Sequence, residues 1–373
     1  MVNSINIWLT VFFVFITTLF FAQINGECGT NLSVREKDLI QKILSSPIKN
    51  GNYLDSVVPV DIHIIGFSDS TGAIDSVTIM TELERVNQHY APAGMYFLKC
   101  NPLNFIYSDN YAYFEQQVDE VICDIVDFPN VLNLYFVPQL YRDNDGQTIQ
   151  LCGYTYYLGN KNRVIISNQC AANGSSLAHE IGHYFSLLHT HDTTNGVELV
   201  ARVNCSVLGD EFCDTPADPT LSEVNVNANC QYIGAAQDSH GDAYLPDARN
   251  IMSYSRKSCR DKFSIEQAQR MRTYFRNYRS YLYCINDGYL HSASNNLEYI
   301  LFPNPSRDFL AVVTNESKNK SYHYCLYNSL GKPISCNEIT NYQHLNITTL
   351  KAGTYFVTLS NDSTTKIQKF IKY

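Results

Sequence analysis

Apolar and polar positions alternate over Val57–Gly66 (VVPVDIHIIG), the pattern of a strand. Ile79, Leu83, Val86 and Tyr90 share one face of a helix. Short β-rich runs follow at Met95–Leu98, Val131–Val137, Tyr154–Tyr157 and Arg163–Ser167. A helix is predicted from about Ser176 to Leu188, with Asn173, Ser175 or Ser176 as its cap. Residues 190–249 are rich in Asp, Asn, Thr and Pro and read mostly as loop. A second helix starts at Ser264, where Ser264 and Gln267 fit a capping box and Ile265, Ala268, Met271, Phe275 and Tyr278 form an apolar face. Strands mixed with helices predict an α/β (α+β) domain over residues 56–284.

Residues 285–297 are polar, carry turn formers and read as a linker. The period then changes to short strands: Tyr299–Phe302, Phe309–Val313, Tyr322–Tyr327, His344–Thr348, Thr354–Leu359 and Lys366–Ile371. Turn signals separate them, which predicts a small all-β sandwich over 298–373.

Ile7–Phe21 is an apolar run of signal-peptide length, short for a membrane span of roughly 20 residues. It reads as a signal peptide over 1–26, the alternative being an uncleaved anchor, and no later run approaches spanning length. All 12 Cys lie beyond it, none as C-x-x-C, so disulfides are expected in an exported protein. A formal charge of −9 without a long basic run argues against nucleic-acid binding, which needs clustered Lys and Arg.

The chemistry concentrates in His179-Glu180-Ile181-Gly182-His183 and in His189, six residues after His183. On a helix His179 and His183 point the same way, and two neutral imidazoles so placed can grip one zinc ion. Glu180 can reach a metal-bound water without being a ligand. The helix must end before His189 if the returning chain is to supply a third ligand. Ordinary histidines would match this spacing in roughly one in a thousand such chains.

This segment resembles the zinc motif of the metzincin metallopeptidases, and Asn250-Ile251-Met252-Ser253-Tyr254 resembles their Met-turn. The likeness implies a metzincin-like catalytic domain with a twisted mixed sheet and an active-site helix. Met252 would floor the metal, and Tyr254 would stabilise an oxyanion. His189-Thr190-His191, Gly209–Asp218 (GDEFCDTPAD) and Asn250–Met271 narrow the resemblance to the pappalysin family over about residues 57–284. Ser186 stands where that family has a helix-ending Gly, at a cost of about 1 kcal/mol if its φ is positive.

The resemblance also suggests the pairs Cys205–Cys230 and Cys213–Cys259; Cys152–Cys170 and Cys325–Cys336 are paired by neighbourhood. Asp210, Asp214 and Thr215 resemble a calcium-binding region or form a plain acidic turn. Resemblance to latent metallopeptidases implies that residues 27–55 form a short pro-segment whose Cys28 thiolate keeps the enzyme latent, the alternative being that Cys28 is half of a disulfide.

Leu301–Pro305 and Ala352–Val357 resemble the ends of a type IX secretion C-terminal sorting domain, the alternative being a generic binding or spacer sandwich. The whole reads as a secreted zinc endopeptidase acting on proteins or peptides and using the type IX machinery, with no membrane span after signal cleavage. The alternatives are a surface adhesin with a non-catalytic zinc site and a zinc hydrolase of non-peptide bonds.

Overall fold

The computed structural model describes residues 26–46, 57–159, 161–282, 299–302, 304, 306, 309–314, 321–340, 344–361 and 364–373. The apolar leader run and the 285–297 linker lie outside the described residues.

The chain begins with β1 (Gly26–Cys28) and α1 (Val34–Ser45). The N-terminus of α1 is closed by a Ser33–Glu36 capping box. Then come β2 (Val57–Gly66), α2 (Ser76–Tyr90), β3 (Tyr96–Lys99), β4 (Asn104–Tyr107), α3 (Asp109–Ala112), β5 (Tyr113–Glu115) and α4 (Val121–Val126). They are followed by β6 (Leu132–Val137), β7 (Gln139–Asn144), β8 (Gln147–Thr155), β9 (Arg163–Ser167), α5 (Asn168–Ala171), α6 (Ser176–Tyr184) and α7 (Ile265–Tyr274).

Nine strands form one mixed sheet with the path β3-β2-β6-β9-β8-β7-β5; β4 adds to β2 and β1 to β8. β6 lies parallel to β2 and β9, and every residue of β6 and β9 is buried. Such strands read as unbroken apolar runs because both faces are covered. β8 runs antiparallel to β9 and β7. One core joins Ile62, Ile64, Leu134 and Ile166 of the sheet to Leu83 and Tyr90 of α2, to Ile181 of α6 and to Met271 of α7. Tyr90 also donates its hydroxyl to Ala178 O over 2.9 Å, tying α2 to α6. Ile65, Tyr135, Leu151, Tyr154 and Ile165 build a second core with Cys123 of α4.

The C-terminal strands are β10 (Tyr299–Phe302), β11 (Phe309–Thr314), β12 (Ser321–Asn328), β13 (Pro333–Thr340), β14 (His344–Asn346), β15 (Gly353–Ser360) and β16 (Thr365–Lys372). They form two antiparallel sheets, β10-β11-β14 and β13-β12-β15-β16. Leu310 and Val312 of the first share a core with Val357, Leu359 and Phe370 of the second, which makes a sandwich.

Three expectations need correction. α6 stops at Tyr184, short of Leu188, because the chain reverses at Ser186. β8 starts at Gln147, well before Tyr154, because it forms a hairpin with β7. The disulfides join Cys205 to Cys213 and Cys230 to Cys259, in place of Cys205–Cys230 and Cys213–Cys259. The loop curls so that Cys205 and Cys213 lie 5.0 Å apart at Cα, within bonding reach. Cys152–Cys170 and Cys325–Cys336 pair as expected.

Candidate active site

α6 is buried along its whole length. Its first turn is capped by Asn173, whose Oδ1 accepts from the backbone N–H of Ser175 and of Ser176 at 3.1 and 3.0 Å. His179 and His183 leave the same face one turn apart, with Nε2 atoms 3.1 Å apart. After Tyr184 the backbone reverses: Ser186 takes φ 72°, and Leu187 N–H donates to Gly182 O at 3.0 Å. Thr190 N–H then donates to Met252 O at 3.2 Å. These bonds carry the chain back across α6. His189 Nε2 comes to 3.0 Å from His183 Nε2 and 3.2 Å from His179 Nε2.

The other ring nitrogens set the protonation. His179 Nδ1–H donates to Ile251 O at 2.7 Å, and His183 Nδ1–H to Leu187 O at 2.8 Å. Both Nε2 atoms therefore present lone pairs. Burial pushes all three histidines below their usual range, His183 to about 4. Lone pairs converging at such distances repel unless a cation lies among them, so the donor set fits a metal ion.

Met252 lies under the motif. A Cβ at Gly182 would fall 2.5 Å from its Sδ, so the helix needs glycine there to close on the turn. Asn250 braces this turn, accepting from Met252 N–H at 2.9 Å and donating to Gln267 Oε1 at 3.0 Å. Gln267 Oε1 also accepts from Ser264 N–H at 2.8 Å, so the capping box of α7 holds the Met252 turn as well. The half-buried Tyr254 ring centres 4.7 Å from His189 and 6.1 Å from His179. The His191 ring centres 4.9 Å from His189 and stays outside the converging set.

Glu180 is buried beside β8, where a Cβ at Gly153 would come within 2.8 Å of its Cγ. Burial pushes its carboxyl up to about 8, against the hydrogen bonds from Cys28 and Thr30. Cys28 Sγ–H donates to Glu180 Oε2 at 3.3 Å, and Thr30 Oγ1–H donates to the same oxygen at 3.1 Å. Cys28 is free of any disulfide, and its Sγ belongs to one cluster with the three imidazoles, all ligand atoms within 4.8 Å of one another. β1 reaches this place by pairing parallel to β8, with Cys28 opposite Gly153.

Some participants had no readable signal. Thr30 lies in no motif, and Tyr157, whose hydroxyl lies 2.8 Å from His183 Nδ1, follows a strand at the edge of the loop. In the acidic loop Asp210 and Thr215 come together, Thr215 Oγ1–H donating to Asp210 Oδ1 at 2.9 Å. Asp214 instead caps α7, its Oδ2 accepting from Glu266 N–H at 2.8 Å. The missed member is Glu198, against Gly209: both its carboxylate oxygens, and Asp210 Oδ2, are buried without a hydrogen-bond partner.

Residues 146–276 match the family model described as pregnancy-associated plasma protein-A, and residues 300–373 match that of the secretion system C-terminal sorting domain. An extracellular metalloprotease of Sordaria macrospora is 23% identical over 278 residues, covering 68% of this chain and 89% of that protein. One from Pyricularia oryzae is 27% identical over 232 residues, covering 59% of this chain and 75% of that protein. Among solved structures, dimeric latent PorU from Porphyromonas gingivalis aligns over 20% of this chain and 9% of its own, at 16% identity and a TM-score of 0.16. The chain is thus a metalloprotease, similar to the pappalysin family over residues 146–276 and matching a C-terminal secretion sorting domain over 300–373.

Proposed function

We propose that this protein is a secreted zinc endopeptidase of metzincin-like fold, held latent by its own N-terminal segment. The observation that carries the reading is the convergence of three Nε2 atoms within 3.0–3.2 Å beside a buried carboxylate. His179, His183 and His189 hold the metal. A zinc ion there supplies Lewis acidity and a water whose pKa falls toward about 7.

Glu180 takes a proton from the attacking water and returns it to the departing amine. Tyr254 donates its phenol proton toward the oxyanion that develops on the peptide carbonyl. The backbone bonds to Nδ1 of His179 and His183 keep the rings in the tautomer that leaves Nε2 bare.

In the form described, Cys28 and Thr30 occupy Glu180. With its sulfur among the three imidazoles and its thiol on Glu180, Cys28 would keep an attacking water from that carboxylate, so the pro-segment over 27–55 has to leave. Asn277 Nδ2–H donates to Ile43 O at 2.9 Å and holds the end of α1 against the catalytic domain. Glu198, Asp210 and Thr215 take up a calcium ion, since two buried carboxylates with bare oxygens call for a hard cation. The sorting domain passes to the type IX machinery and delivers the protein outside the cell or to its surface, as the match over 300–373 and the extracellular relatives support. Among the described residues no helix is long and apolar enough to cross a membrane.

The test replaces Glu180 with Gln and follows peptide cleavage and bound metal in the processed protein. Zinc should stay at one per chain while turnover disappears; undiminished cleavage would remove Glu180 from its role.

A further inference from the structure

Gly29 lies between the two residues that reach Glu180, and its main chain is held from two directions. Its N–H donates to Gly153 O of β8 at 2.8 Å. Its carbonyl accepts from Gln116 Nε2 at 3.1 Å. The grip falls one residue from Cys28, whose sulfur stands among the imidazoles. A Cβ at Gly29 would fall 3.3 Å from Gln116 Oε1, so the whole carboxamide lies against this residue. That Oε1 is buried and accepts no hydrogen bond from any described residue. The N-terminal segment therefore uses only the donor side of the amide, and a buried acceptor left bare is unfavourable until a donor reaches it.

Gln116 is placed by rigid backbone. It directly follows β5, and its N–H donates to Tyr141 O of β7 at 2.8 Å, extending the parallel ladder of those two strands. Glu115 N–H donates to Asp119 Oδ2 at 2.7 Å, which closes the turn that follows. Gln117 within that turn takes φ 69°, a conformation that side chains disfavour. A cavity lies against Gln116, walled by Asn31 of the N-terminal segment and by Val118 and Arg142. There is space beside the amide for a chain on a path other than that of the N-terminal segment.

We propose that Gln116 is a substrate-binding residue that takes the peptide main chain within one residue of the scissile bond. Once the N-terminal segment has left, Nε2–H donates to a substrate carbonyl and Oε1 accepts a substrate N–H. A primary amide complements a peptide unit with both a donor and an acceptor, so it fits whichever way the substrate strand runs and leaves side chains unread. Held this close to the metal ligands, the bond also fixes where the reacting carbonyl lies. This inference rests on the peptidase reading above.

The experiment measures kcat and KM of the processed, zinc-loaded protein on one peptide. It repeats the measurement on analogues in which single N–H groups on either side of the cut are replaced, residue by residue, by ester oxygen. Gln116→Ala should lower kcat/KM about tenfold on the all-amide peptide, mainly through KM, the scale of one or two hydrogen bonds. One ester within a residue of the cut should cost the parent about as much and cost the alanine variant nothing further. Gln116→Glu should bind more weakly than the parent yet keep that ester penalty, because a carboxylate still accepts from N–H but cannot donate. Zinc content and the unfolding midpoint check that both variants fold. An alanine variant with parental kcat/KM, or with every ester penalty intact, would overturn the assignment of Gln116 while leaving the peptidase standing. Parental kcat/KM in Gln116→Glu would overturn it even should the alanine variant fail to fold. Absence of any cleavage by the parent would overturn the peptidase reading itself and this assignment with it.

Discussion

The thiol of Cys28 donates to the carboxylate of Glu180 over 3.3 Å, although 152 positions separate them in the chain. Burial and the neighbouring Glu180 charge both hold that thiol in its protonated form in the absence of a cation. A metal among the imidazoles reverses this, because thiolate is the ligand form. Cys28→Ala in the unprocessed chain should raise peptidase activity about tenfold or more, one lost charge-assisted contact being worth that much. Activity measured on chains whose intact mass is confirmed provides the check, and an unchanged rate would mean that the thiol does not maintain latency.

Gly182 and Met252 are packed so closely that no methyl group fits between them. Gly182→Ala should cost about 1–3 kcal/mol through overpacking, since Met252 is fully buried and its Sδ has little room to yield. Thermal unfolding should show a midpoint lowered by several degrees. An unaltered midpoint would mean that the Met252 turn moves freely.

Lys37 of α1 is buried between Asp192 and Glu211, at 3.6 and 3.3 Å. Glu211 is bound from its other side by Arg270 at 2.9 Å. Both acids lie beyond α1 in the chain, so this cluster clamps α1, the helix of the proposed pro-segment, independently of Cys28. Breaking a buried pair costs about 3–5 kcal/mol. Lys37→Ala should therefore expose residues 34–45 to hydrogen exchange and limited proteolysis much faster than in the parent protein. Equal protection would assign the clamp elsewhere.

If the proposed site takes up calcium, removing that ion should destabilise the loop around Glu198 and Asp210. Their buried carboxylates, with bare oxygens, would face each other without a counter-charge, and burial already drives Glu198 up to about 7. A calcium chelator that spares zinc should lower the unfolding midpoint. Glu198→Gln should abolish that sensitivity, and a midpoint indifferent to calcium in the parent protein would dispose of the site.

The readable parts of this chain are those where one short segment carries its own period or spacing. β2 and β9 match their predicted spans because apolar side chains run through them. The capping box of α7 is legible because Ser264 and Gln267 lie three residues apart. β13 went unread because its outward face is exposed almost throughout, so it lacks an apolar stripe. β1 has three residues and owes its existence to the partner it finds in β8.

The linear order of residues determined that His179 and His183 share a helix face with Glu180 beside them, since helical spacing is local and repeats every 3.6 residues. It also determined that the helix must end before His189. Tertiary structure alone decided that His189 joins the set while His191 stays outside it, through the positive φ of Ser186 and the bond from Thr190 to Met252. It also decided that Cys205 meets Cys213, and that Cys28 and Thr30 reach Glu180 across half the chain. Contacts between distant segments depend on how the sheet and loops pack together, and no local pattern of residue types records that.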